Sequence, residues 1–254
     1  MKKESEQAYR LSVDERAALN KATAEIVGLA ALDLIEKMRP STLKTERVCA
    51  VIYLNIVESF QACNILVRAK METHAALHIR AMLESFVNMT MLRNRTEHLR
   101  QMEHDKLDGE YKICSELLED PHLTEESQQK LRIWLARVTP EREALRKANY
   151  RKKVVSKMIT EANLPFLAVP YLTLNSMAHW DLAVLSERHG HKNGGLRVFA
   201  ETTPEVVIAL LSEAVKIMVM ATNAVKDVAI FEDGLYESVF ERMNKAWATL
   251  LNEI

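Results

Sequence analysis

The chain is poor in everything that interrupts helices. Its 254 residues hold six glycines, six prolines and three cysteines, and aromatic residues make up only 6%. Turn-formers this sparse exclude a fold of many short strands and leave long stretches free for helices. Cys49, Cys63 and Cys114 are odd in number, widely spaced and form no CxxC pair, so they are expected to be reduced, buried thiols. Net charge is −1, which excludes a global field that would gather nucleic acid or an anionic membrane; such binding would need a local patch. The P-loop, GxGxxG, GxSxG and HExxH motifs are missing, as is a Glu-x-x-His pair. Zinc-protease and di-iron chemistry therefore lose their usual ligands, although His74-x-x-x-His78 has the spacing to bridge a metal on a helix. No metal and no cofactor is expected.

The start, Met1-Lys2-Lys3-Glu4-Ser5-Glu6, is charged and runs into no apolar stretch. No signal peptide is expected, and the chain reads as cytoplasmic. The longest uncharged run lies between Glu161 and Asp181, but it contains Pro165, Pro170, Asn175, Ser176 and His179. That makes it a poor membrane span, and it is expected to be buried core.

What is present is a globular balance, 48% hydrophobic and 27% charged. With this length it predicts one all-α domain over residues 1–254, a single bundle of about seven to nine helices. Ser12 and Glu15 have capping-box spacing, and the first helix is expected to run to Met38 and stop at Pro40. Ser41 or Thr42 can cap the next. Residues 41–108 contain no Gly or Pro, but the apolar stripe pauses at Arg68-Ala69-Lys70. That pause predicts two helices, roughly 43–68 and 71–93. A fourth is expected over roughly 95–118, with Gly109 inside it and Pro121 closing it. Thr124 caps a fifth, and Thr139-Pro140-Glu141 reads as the start of another. Thr203-Pro204-Glu205 repeats that signature ahead of a helix of roughly 205–231 that is apolar on most sides, with Asp233-Gly234 as its stop. Such a helix belongs in a bundle centre or at a subunit interface, so a homodimer is expected. An amphipathic last helix covers 235–251.

Five groups of residues can carry chemistry. Arg93 and His98, in Arg93-Asn94-Arg95-Thr96-Glu97-His98, match the Arg-polar-x-x-x-His pattern of HEPN ribonucleases and nucleotide-binding proteins. In that pattern His moves a proton at the ribose 2′-hydroxyl or leaving group, and Arg steadies the phosphate charge. Arg80, Glu84 and Asn88 stand one turn apart on one face of an otherwise apolar helix, where an Arg–Glu pair needs mutual neutralisation. Asn175, Ser176, His179 and Asp181 sit at the end of the most apolar stretch, and Arg80 and Glu84 are the simplest partners for its buried polar groups. Arg188 and His191, in Glu187-Arg188-His189-Gly190-His191 ahead of a glycine-rich loop, suit an anion or metal. The run 142–157 holds Arg142, Arg146, Lys147, Arg151, Lys152, Lys153 and Lys157 around Tyr150, a composition suited to RNA backbone contacts and base stacking. Each group has a bland counterpart: an exposed helix end, a structural ion pair, a satisfied core histidine, a solvated loop and a charged helix face.

The block 75–88, with its Arg80-x-x-x-Glu84 core, and the block 171–179, with Tyr171 ahead of Ser176-x-x-His179, resemble a bacterial all-helical family known as domain of unknown function 5677. The resemblance spans roughly residues 45–190 and implies that Arg80, Glu84, Ser176 and His179 belong to one shared site. Two functions from different classes follow as expectations. One is an HEPN-like, metal-independent ribonuclease or toxin-type effector acting on RNA or a nucleotide, in phage defence. The other is a non-enzymatic helical binding or interaction module, with Arg80, Glu84 and His179 as a buried polar clasp that fixes helix register.

Overall fold

The structure, a computed structural model, describes residues 11–179, 181–190, 194–196, 198 and 202–252. Its helices are α1 (Val13–Glu36), α2 (Lys44–Arg68), α3 (Glu72–Asn94), α4 (His98–Leu118), α5 (Glu125–Lys147), α6 (Val155–Glu161), α7 (Ala168–Ala178), α8 (Leu182–His189), α9 (Pro204–Val225) and α10 (Leu235–Asn252). A single 3₁₀ turn, Pro165–Leu167, leads into α7, and two-residue strands β1 (Arg39–Pro40) and β2 (Ala229–Ile230) pair antiparallel. The fold is all-α, as the scarcity of breakers requires.

Local chemistry sets the helix ends. Ser12 Oγ accepts from Glu15 N while Ser12 N donates to Glu15 Oε2, closing the capping box of α1. Thr124 caps α5 through Ser127 N. The α2–α3 turn falls where the apolar stripe pauses. Lys70 takes a left-handed φ of 57°, and Met71 N donates back to Leu66 O at 2.8 Å, the hydrogen bond of a Schellman ending. A non-glycine residue pays about 1 kcal/mol for that conformation, and it folds α3 back onto α2, its main packing partner.

Four local expectations are corrected. The N-cap of α2 is Leu43, and Ser41 Oγ only accepts from Leu43 N. Helix α5 runs unbroken through Thr139-Pro140, where the Thr139 hydroxyl donates to Leu135 O at 2.6 Å instead of capping a new helix. Helix α9 stops at Val225, well before Asp233-Gly234, because the chain turns there to pair β2 with β1; Gly234, at φ 74°, instead precedes α10. The uncharged run ahead of Asp181 is not uniformly core: Leu167 and Leu174 are buried, but Val169 is 72% exposed, Leu172 62% and Phe166 47%.

Helix α9 lies against α1, α2, α3 and α10. Its Val207, Leu211, Val215, Ile217 and Met218 join Phe60, Ile79 and Met82 in one core. The apolar surface that suggested a subunit interface is thus covered within a single chain. Helix α2 is long and apolar enough to cross a membrane by length and composition; here its Tyr53, Ile56, Phe60 and Cys63 face the bundle core. All three cysteines are free and buried, and burial pushes two of the thiols up, Cys49 to about 11 and Cys63 to about 12.

One buried polar pair ties α2 to α9. The Thr222 hydroxyl donates to Met218 O at 2.9 Å, so at 3.0 Å the Tyr53 hydroxyl is the donor to Thr222 Oγ1. Thr222→Val strands a buried phenol and is expected to cost about 1–3 kcal/mol, whereas Tyr53→Phe leaves Thr222 bonded and costs about 1 kcal/mol. The double variant should lose less than the sum of the two in denaturant melts; strict additivity would contradict the pairing.

Candidate functional site

The polar stripe of α3 ties two other elements to that helix. Residues 80, 84 and 88 lie one turn apart on one face, while Ile79, Met82, Leu83 and Val87 fill the core from the other. Arg80 Nε donates to Glu84 Oε1 at 2.9 Å, and Arg80 Nη1 lies 3.1 Å from His179 Nε2. A guanidinium has no acceptor, so His179 must accept through an unprotonated Nε2 and carry its proton on Nδ1. His179 is the residue that closes α7, so this contact pins the end of α7 to the middle of α3. The clasp is not buried as expected: the Arg80 side chain is 25% exposed, that of Glu84 33%, and His179 is exposed. Partial exposure lets water share the desolvation that a buried pair would suffer.

One turn further along, Asn88 divides its amide. Nδ2 donates to Glu84 O at 2.9 Å, leaving Oδ1 to accept from His98 Nε2 at 3.0 Å. His98 is buried at the first position of α4, so the stripe also anchors α4. Burial, then the nearby Lys153, holds the His98 imidazole below its ordinary pKa; Asp105, Glu161 and Glu97 oppose this. Arg93 instead forms an ion pair with Asp227 beyond α9. Arg93 and His98 thus take different partners, and no hydrogen bond joins them among the described residues.

The remaining candidates scatter. Ser176 is exposed on α7, and Asn175 Oδ1 is buried with no partner among the described residues. Asp181 caps α8 by accepting from Ala183 N at 2.9 Å. His191 lies outside the described residues. In the basic run, Arg142 pairs with Asp108 and stacks on Tyr111, Arg151 Nη1 donates to Arg146 O and Tyr150 O behind the end of α5, and Lys153 pairs with Glu161. Arg146, Lys147 and Lys152 stand exposed, so part of the run is committed to internal contacts.

A cavity of about 540 Å³ opens on the other flank of α7. Thr173, Leu174 and Met177 of α7 form one wall and Val206 and Leu210 of α9 another, and the charged and titratable lining residues are Lys70, His74, Arg188, His189 and Glu213. Arg188 Nη2 lies 2.8 and 3.1 Å from the two ring nitrogens of His74. Burial first, then the charges of Arg188 and His189, keep His74 below its ordinary pKa. Sequence reasoning weighed His74 only beside His78, as a metal pair; no His/Cys/Asp/Glu group able to hold a metal exists among the described residues. The cavity itself had no local signal, since His74 and Arg188 are 114 residues apart.

Together these elements define a helical bundle with a polar clasp on one side of α7 and a mostly apolar cavity on the other. The Family of unknown function (DUF5677) matches residues 46–196, and the chain belongs to that family. The match takes in α2 through α8, hence the whole clasp, while α1, α9 and α10 complete the core from outside it. No curated protein and no solved structure matches the chain.

His74 and His98 set a pH limit on stability. Both are lowered in the folded chain, whereas the unfolded value is about 6.5. The unfolded state therefore binds more protons below that value, and stability present above pH 6.5 is lost as pH falls through the folded values. Glu103, Asp108 and Glu161 are also lowered, by Lys44, Arg142 and Lys153 respectively, from values of 4.5 or less, so their contribution is lost only in stronger acid. Tm is expected to fall as pH drops below about 6.5, and His98→Gln should flatten part of that fall; a Tm that stays level below this pH until the carboxylates titrate would contradict it.

Proposed function

We propose that the chain is a non-enzymatic helical binding module, in which the Arg80–Glu84–His179 clasp fixes α7 against α3 and thereby shapes a small-molecule cavity. The observation that carries this is the double donation of Arg80, to Glu84 on its own helix and to His179 at the end of α7. It engages the Nε2 lone pair that His179 would need as a base, so the group acts as a latch in this arrangement. The cavity supports the same function, because about 540 Å³ falls within the range of roughly 300–1,000 Å³ typical of ligand sites.

The test is an uncharged fluorescent probe, Nile red. It should bind saturably at one molecule per chain, and Ala209→Trp, at an exposed cavity-lining position on α9, should abolish binding while leaving Tm unchanged. Absence of saturable binding, or binding indifferent to the tryptophan, would contradict the module. Arg80→Ala should lower Tm by several degrees, for a loss of about 1–2 kcal/mol.

One observation favours a second function, the HEPN-like metal-independent ribonuclease acting on RNA in phage defence. Arg80 and His179 meet where His179 is exposed, so a phosphodiester could displace the Arg80–His179 contact. For a binding module, pure protein leaves RNA intact in EDTA. Cleavage that persists in EDTA and disappears in His179→Ala would replace the binding module with the enzyme.

A further inference from the structure

The two arginines that contact a histidine, Arg80 of α3 and Arg188 of α8, differ in one respect. Arg80 is neutralised by Glu84, whereas Arg188 forms no ion pair among the described residues, its described partner being the His74 ring. Arg188 is only half-exposed and lines a cavity whose other walls are mostly apolar. Glu213, an acid that also lines the cavity, pairs with Lys216 through Oε1 at 2.5 Å, while its Oε2 is buried with no hydrogen-bond partner among the described residues. A guanidinium offers five donors in a rigid fork suited to a carboxylate. A neutral His74 ring beside it adds no positive charge and supplies an acceptor that holds the guanidinium in place. Partly desolvated cations are normally paired, and here the apolar walls supply the rest of a ligand's environment.

We propose that this cavity takes a single-chain amphiphile as a monomer, its apolar chain lying among Leu174, Met177, Val206 and Leu210 and its carboxylate head received by Arg188 beside His74. This rests on the binding-module function and adds the chemical class of its ligand. The charge complementarity is local to the site, since the net charge of −1 gives the whole chain no attraction for anions.

The experiment compares decanoate, decan-1-ol and decylammonium, each below its micellar concentration, by titration calorimetry on the full chain. Decanoate should bind one per chain, at least tenfold tighter than decan-1-ol, with decylammonium weakest. Arg188→Gln should erase the decanoate preference and leave decan-1-ol binding as it was. Equal binding of all three, or a decanoate affinity unchanged in Arg188→Gln, overturns the head-group assignment while leaving the cavity a binding site. Failure of all three chains to bind overturns both. The comparison among ligands on the unaltered protein decides the matter even if the variant does not fold.

Discussion

Helix α3 must satisfy two environments at once, and Arg80 is where it does so. One face carries Ile79, Met82, Leu83 and Val87 into the core, which fixes the helix's rotation about its axis. With that rotation set, residues 80, 84 and 88 have one available direction, toward the seam where α7 and α4 approach. Helix α7 reaches the core through Leu174, with Tyr171 and Met177 packed partly against it, and leaves Val169 and Leu172 more than half exposed. A helix with part of its apolar surface exposed gains from polar ties, and the Arg80–His179 contact at its end is one of them. The placement of α7 then sets one wall of the cavity.

The same pairing, a guanidinium against a histidine, occurs on both flanks of this region, with different consequences. At Arg80 the Glu84 carboxylate balances the charge and the group is complete within the protein. At Arg188 the balance is missing among the described residues, and the geometry faces a cavity. A fixed charge with a neutral ring as its described partner and no described counter-ion, set in a mostly apolar space, suits a ligand that brings the opposite charge.

Much of the bundle was legible in the sequence because helix ends are written locally. The Ser12–Glu15 box, the pause at Arg68-Ala69-Lys70 and the Thr203-Pro204 start each depend on a few adjacent residues. Thr139-Pro140 carried the same local signal and misled, because a helix already under way can absorb a proline when neighbouring packing holds it. The stripe 80–84–88 could be read from spacing alone. The partners of its members could not, since His179 and His98 reach α3 from different elements. Arg93 and His98 show the limit of a linear motif: five residues apart in sequence, they fall on either side of a helix boundary and take different partners, Asp227 beyond α9 and Asn88 on α3. The cavity had no linear trace at all, being assembled from the α2–α3 turn and four separate helices, α3, α7, α8 and α9.

The central claim is that Arg80 and His179 act as a coupled pair joining α3 to α7. A double-mutant cycle of Arg80→Ala, His179→Ala and the combined variant, read as unfolding free energy, tests it most directly. A coupling of about 1 kcal/mol is predicted, with each single change costing stability. Additivity within about 0.3 kcal/mol, together with a His179→Ala variant as stable as the parent, would contradict it.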